Sequence, residues 1–237
     1  MKFTKINNNI QIEDLIKVNK YPYKKYNRFS DEKGRKYLVQ EQKVPSVTTI
    51  LGKTKSERDS AGLQAWRNRV GEAKAREITQ NAAAVGEEMH YILENYFNGT
   101  PYYNPNPSGQ QPRIMAHKIL ENLTPISEVW GNEISLAYKH EYAGTTDMIV
   151  LYDGKPTIVD FKQSNRPKKD EYVEDYKHQL GAYYLAHKEH YGPIEQGLIS
   201  VCVRDLTYQQ WLLKETDLQE YAEKFMERVE QFKKLTI

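Results

Sequence analysis

Three residues of this 237-residue chain, Asp147, Asp160 and Lys162, are spaced so that two neighbouring strands would hold two carboxylates and an ammonium together. Asp147 opens the run Asp147-Met148-Ile149-Val150-Leu151, and Asp160 and Lys162 end the run Thr157-Ile158-Val159-Asp160-Phe161-Lys162. Both runs are rich in the β-branched and aliphatic residues that favour strands. Between them, Tyr152-Asp153-Gly154-Lys155 reads as a tight hairpin turn, because Asp-Gly accepts the positive φ angles such turns need. Residues i and i+2 of a strand face the same side, so Asp160 and Lys162 project together while Phe161 faces away. Charges on an otherwise apolar strand are costly to bury unpaired. A metal ion between the carboxylates, with the ammonium beside it, would balance them. The Asp-x-Lys string is not distinctive in itself: Asp31-Glu32-Lys33, Glu41-Gln42-Lys43, Glu72-Ala73-Lys74, Asp153-Gly154-Lys155 and Asp175-Tyr176-Lys177 fit the same pattern. None of these lies in a strand pattern behind a hairpin and a second strand carboxylate.

Other residues could serve such a centre. In the helical pattern from Asn81 to Phe97, Val85, Met89, Ile92, Leu93 and Tyr96 form one apolar stripe. His90 and Glu94 lie beside it one turn apart, with Glu87 one turn earlier. A packed histidine is the commoner outcome for such a His. Pro45-Ser46-Val47-Thr48-Thr49-Ile50-Leu51 places Ser46 as a helix N-cap with Val47, Ile50 and Leu51 on a buried face. From Tyr21 to Tyr37, aromatic rings alternate with cations, among them Lys24, Lys25, Arg28, Arg35 and Lys36. That mixture grips single-stranded nucleic acid, cations on phosphates and rings on bases. A β-ribbon whose tyrosines pack on the body of the protein accounts for it equally well.

The elements that must position these residues follow from periodicity. Helical spacing runs from the Ser46 cap to about Ile78, then over Asn81–Phe97, and a short helix covers Arg113–Leu123. The intervening Tyr102–Pro112 contains three prolines and reads as a loop. Strands are expected at 133–138, 145–152 and 157–162, a helix at 168–190, strands at 197–203 and 208–213, and a final helix from Thr216 or Asp217 to about Phe232. Helices followed by β-β-β-α-β-β-α describe an α/β fold with a small mixed sheet flanked by helices. Residues 1–45 read as a basic, aromatic N-terminal arm and 46–237 as a single domain.

Composition narrows the function classes. Charged residues make up 28% and apolar residues 39%, an ordinary globular balance. No run approaches the ~20 apolar residues of a membrane helix, so no membrane partner is expected. The N-terminus shows no signal or transit pattern, which gives a cytoplasmic expectation, in a bacterium or a phage-infected cell. A single cysteine, Cys202, excludes an intrachain disulfide and a four-cysteine iron–sulfur cluster, and it reads as a buried apolar residue. Residues 1–60 carry 14 Lys/Arg against 7 Asp/Glu in a chain of net charge +2, leaving the remainder at −5. A basic front before an acidic remainder suits a polyanion held near a cation site.

Four motifs in order complete the pattern: Gly86-x-x-x-His90-x-x-x-Glu94, Ala143-Gly144-Thr145-Thr146-Asp147, Ile158-Val159-Asp160-Phe161-Lys162, and Gln179-Leu180-x-x-Tyr183. Over about residues 45–190 this order resembles the RecB-like branch of the PD-(D/E)XK nucleases. The Pro45–Leu51 segment resembles that of the mitochondrial genome maintenance exonuclease group and its phage relatives. The resemblance implies the restriction-endonuclease-like fold, α-β-β-β-α-β. It also implies Mg²⁺ or Mn²⁺ held by His90, Asp147, Asp160 and the backbone carbonyl of Phe161, with no iron–sulfur cluster. Lys162 would orient the attacking water, and Gln179 and Tyr183 would contact substrate or support the site. Ser46 and Thr48 would touch the DNA backbone, and Glu94 and Glu133 are weaker candidates for a second metal or for supporting hydrogen bonds; apart from the resemblance, Lys24 and Lys25 of the ring-and-cation stretch are candidate substrate-binding cations. The expected function is a metal-dependent DNA exonuclease favouring single strands or free ends, with replication or recombination proteins as candidate partners. Alternatives are a structure-selective endonuclease on the same fold, an inactive nucleic-acid-binding module, and a non-nuclease in which Asp160 and Lys162 are a charge pair.

Overall fold

The computed structural model describes residues 3–6, 9–12, 16–100 and 109–236. Most of the expected loop, residues 102–108, lies outside them. β1 (Phe3–Ile6) and β2 (Asn9–Ile12) form a separate antiparallel ribbon, and β3 (Ile16–Lys17) is a two-residue strand. β4 (Asn27–Asp31), β5 (Gly34–Val39) and β6 (Gln42–Pro45) make an antiparallel three-stranded sheet. Four helices follow: α1 (Val47–Lys53), α2 (Glu57–Val70), α3 (Glu72–Asn98) and α4 (Gln111–Leu120). Then come β7 (Ile126–Tyr138), β8 (Tyr142–Tyr152), β9 (Lys155–Ser164), α5 (Glu174–His190), β10 (Gln196–Val203), β11 (Tyr208–Lys214) and α6 (Glu215–Thr236). The large sheet runs β11-β10-β9-β8-β7-β3, with β7, β8 and β9 antiparallel in sequence and β10 parallel to β9. The expected order of strands and helices is present. Among the described residues no helix is long and apolar enough to cross a membrane.

Period-two alternation along the central strands builds two cores, one on each face of the sheet. Ile149, Ile158, Ile199 and Val201 face α5 and α6, with Leu180, Tyr183, Leu218 and Phe225. Met148, Val150, Val159, Phe161, Leu198 and Cys202 face α3 and α4, with Met89, Leu93, Phe97, Met115 and Ile119. Cys202 is buried, as its sequence context implied. The turn joining β8 to β9 has φ 50° at Asp153 and 72° at Gly154, the two positive angles that Asp-Gly predicts.

Several boundaries differ from the periodicity: β7 begins at Ile126 and not near residue 133, and α4 takes in Gln111 and Pro112 from the expected loop. The helical stretch upstream of Phe97 divides at Gly71, whose φ is 84°, and not between Ile78 and Asn81. Asn81-Ala82-Ala83-Ala84 has no residue that breaks a helix, so α3 runs unbroken for 27 residues. The helix expected from Lys168 begins at Glu174. Lys168 instead lies extended beside β11, where its N–H donates to the Gln209 side chain at 2.7 Å and its carbonyl accepts from it at 2.9 Å.

In the stretch of rings and cations, tyrosine packing accounts for most of the rings. Tyr37 is buried, and Tyr21 and Tyr23 pack edge-on among Trp130, His187 and Tyr191. Phe29 is the exposed ring of the stretch.

Candidate active site

Backbone pairing between β8 and β9 runs from Tyr152↔Lys155 to Met148↔Val159 and stops there. The next rung would set Asp147 against Asp160, and side chains take its place. Asp147 Oδ2 accepts a hydrogen bond from the Phe161 N–H at 2.6 Å, and the Thr146 hydroxyl donates to the Val159 carbonyl at 3.2 Å. The strands therefore part where they carry charge. Both carboxylates are buried on the α5 face, the side that alternation assigns to Asp160 and Lys162. Phe161 points the other way and stacks on Phe97 with 8° between the rings.

Each carboxylate has its own partners. The Lys162 ammonium forms an ion pair with Asp160 Oδ2 and donates to Gln179 Oε1 at 3.2 Å. Gln179 Nε2 donates to Asp160 Oδ1 and to the Tyr183 hydroxyl, both at 3.0 Å. One helical turn of α5 thus supplies both Gln179 and Tyr183. Gly144 makes room for that ring, since a Cβ there would stand 2.6 Å from Tyr183 Cε1. From the other side of the cleft, α3 brings His90 Nδ1 to 3.0 Å from Asp147 Oδ1.

Glu133 joins them from β7. Neighbouring residues pair as Asn132↔Met148 and Ile134↔Thr146, and Glu133 between them has a φ of 51° and no rung of its own. A non-glycine residue held there costs roughly 1–3 kcal/mol, and such strain concentrates at functional sites. His90, Glu133 and Asp147 each offer a ligand atom within 4.8 Å of the others.

The electrostatics follow from burial and pairing. Burial alone would lower the His90 pKa, but the charge and hydrogen bond of Asp147 outweigh it and raise it above the ordinary value. For Asp147, burial opposes ionisation, yet His90 and Lys162 hold its carboxyl below the usual range. Burial, with the charge of Asp147, raises Asp160 despite Lys162. Burial would lower Lys162, but Asp160 and Asp147 keep its ammonium protonated. Burial and then the charge of Asp147 push Glu133 up to about 7. The set is an imidazole and three carboxylates around one ammonium, oxygen-rich in the way hard divalent cations require. These residues fit the metal that the motifs imply.

The cleft above them, about 410 Å³, gathers most of the other expected residues. Glu94 and Thr48 line it, as does Ser46, although the Ser46 hydroxyl caps α1 by accepting the Thr49 N–H at 3.0 Å. Phe161 meets Asp147 through its N–H, as described above. Lys24 and Lys25 are exposed and do not line the cleft; the Lys24 N–H donates to the Tyr191 hydroxyl at 3.2 Å. The cations on the cleft wall are Arg28 and Arg35, which sequence reading left among the general run of basic residues. The register Arg28↔Tyr37 and Ser30↔Arg35 puts them on one face with Tyr37, whose hydroxyl lies 3.0 Å from Thr145 Oγ1. Strand alternation from Tyr37 was the signal that could have singled them out. Tyr176, with its ring centroid 5.1 Å from the Lys162 ammonium, was also missed, though it precedes Gln179 by one helical turn.

Comparison with known proteins accords with this geometry. The profile of the PD-(D/E)XK nuclease superfamily matches residues 115–236. A mouse protein named mitochondrial genome maintenance exonuclease 1 is 31% identical over 80% of this chain, and its human counterpart is 27% identical over 80%. The Xenopus tropicalis protein of the same name is 28% identical over 81%. The chain spans about three-fifths of these relatives' lengths, at 62%, 61% and 58%. A crystal structure from Eubacterium rectale, 15% identical, superposes with a TM-score of 0.49 over 66% of this chain and 69% of that one.

Proposed function

Because the chain belongs to the PD-(D/E)XK nuclease superfamily, we propose that it is a metal-dependent DNA exonuclease acting on single strands or free ends. The observation that carries the reading is the linkage His90–Asp147 beside Asp160–Lys162–Gln179 at the floor of a cleft walled by Arg28 and Arg35. His90, Asp147 and Asp160 would hold a Mg²⁺ or Mn²⁺ ion, with the Phe161 carbonyl as a further oxygen. Bound there, such an ion lowers the pKa of a water and offsets phosphate charge. The remaining chemistry belongs to the chain. An ammonium has three N–H donors. Lys162 directs one to Asp160 and one to Gln179, leaving the third for a substrate oxygen or the attacking water. Gln179 and Tyr183 fix Asp160, and through it Lys162, so that the donor is aimed before substrate arrives. Thr48, Arg28 and Arg35 would receive the phosphate backbone. The site supports nuclease action, and the exonuclease mode of this reading comes from the relatives' name.

The test uses end-labelled single strands and a closed single-stranded circle, with Mg²⁺, Mn²⁺ or EDTA, on wild type and Lys162→Ala. Loss of linear strands alone, with metal and in wild type only, is the expected result. Cutting of the circle would make the enzyme an endonuclease. DNA binding with no cleavage of either would leave a binding module. In the same assay Arg28→Ala and Arg35→Ala should raise KM several-fold with little change in kcat. Each should also reduce the salt dependence of DNA binding by about one phosphate contact.

A further inference from the structure

We propose that Glu133 is a ligand of the divalent cation, closing a triangle with His90 and Asp147 that the ordered motifs do not themselves contain. The inference rests on the nuclease reading above and adds a residue to its metal site. Three observations support it. The ligand atoms of Glu133, His90 and Asp147 all lie within 4.8 Å of one another. Asp160 lies beside this triangle, with one oxygen paired to Lys162 and the other accepting from Gln179, so Glu133 would complete the ligand set on the side away from Lys162. Among the described residues the Glu133 carboxylate has no hydrogen-bond or ion-pair partner, although it faces a second carboxylate across the gap in the ladder.

The backbone is built to produce this placement. β7 shifts register between Val129 and Gly131, then carries Glu133 at a φ of 51° without a rung opposite Asp147. The register shift lies two residues before Glu133, and irregularities of this kind re-aim nearby side chains and recur beside active sites. Gly131 allows the bend, for a Cβ there would come within 2.5 Å of Ile134 Cδ1. A glutamate kept for solubility or packing would need neither the strained φ nor the lost rung. Two carboxylates and an imidazole with ligand atoms within 4.8 Å of one another form an oxygen-rich donor set of the kind a hard divalent cation takes.

The experiment measures Mn²⁺ binding to the full chain without DNA, by calorimetry and by the electron paramagnetic resonance of free Mn²⁺. Glu133→Gln should weaken Mn²⁺ at least tenfold. In EDTA the same variant should melt no lower than wild type, since it loses an unpartnered carboxylate, while its Mn²⁺-induced rise in Tm shrinks. Wild-type Mn²⁺ affinity in Glu133→Gln would overturn the inference and leave the nuclease reading standing. A wild-type protein that binds no Mn²⁺ would sink both. A second measurement needs no variant: Fe²⁺ with ascorbate and peroxide cuts backbone beside a bound metal. Cuts in residues 131–135 as well as near 147 support ligation by Glu133, and cuts confined to 147 and 160 contradict it.

Discussion

Two helices of this molecule each carry a histidine in a packed setting, and the two pKa values shift in opposite directions. His90 on α3 faces Asp147, and that carboxylate raises its pKa above the ordinary value against the effect of burial. His187 on α5 is fully buried among Tyr21, Tyr23 and Tyr191, and burial drives its pKa down to about 4. Its partners suit the neutral ring: Nδ1–H donates to the Gly192 carbonyl at 3.0 Å, and the Tyr23 hydroxyl, 3.0 Å from Nε2, donates to it. Burial is common to both, so the neighbours decide. A carboxylate within hydrogen-bond reach raises the pKa of a desolvated base, whereas at His187 the Gly192 carbonyl raises it too little to offset burial. The first arrangement suits a reactive centre, and the second fastens an aromatic cluster.

Removing charge from the first cluster should have the largest effect. Lys162→Ala is expected to lower cleavage by at least about 10²–10³-fold, the scale seen when one donor to a developing negative charge is removed. The same change leaves Asp160 buried without its cation, so stability in EDTA should fall by about 3–5 kcal/mol, read by urea denaturation. A Lys162→Ala protein that cuts normally would remove the chemical half of the comparison.

Adding charge to the second cluster is the next test. The folded His187 value lies below the unfolded value of about 6.5, so the unfolded chain binds the extra proton. The stability tied to the neutral ring is complete above pH 6.5 and is lost as the pH falls toward 4. The interval is worth roughly 3 kcal/mol. Urea unfolding of wild type and His187→Gln at pH 7, 5.5 and 4 should show a steeper acid loss in wild type. Parallel curves would mean that the ring is already charged in the folded protein.

A matched pair of hydroxyl deletions gives the smallest and most discriminating effects. Tyr183→Phe removes an acceptor for Gln179 and should reduce cleavage on the order of tenfold, as changes behind a metal ligand do. Tyr23→Phe removes the donor to His187 and should cost about 1 kcal/mol in unfolding experiments with cleavage unchanged. Equal losses of activity in both variants would erase the distinction between the clusters.

Much of the site was legible in the chain. Asp-Gly specified the turn, period two put Asp160 and Lys162 on one face, and the motif order supplied His90, Gln179 and Tyr183. What local pattern could not give were contacts across long sequence separations. Lys24 and Lys25 satisfied composition as well as Arg28 and Arg35 did, and it is the pairing of β4 with β5 that sets the two arginines on one face at the cleft. Tyr21 and Tyr23 were open to nucleic acid or to packing until Trp130, His187 and Tyr191 enclosed them.

By itself, then, the sequence determined the elements, the faces of its strands and which residue types could gather a cation, because steric and hydrophobic periodicities act over a few residues. Only the tertiary structure decided that β8 and β9 part at Asp147 and Asp160, that Glu133 bends toward them, and that the pKa of one histidine is raised and that of the other lowered. Those outcomes depend on desolvation and Coulomb terms between groups dozens of residues apart, and such terms have no value until the chain has closed around them.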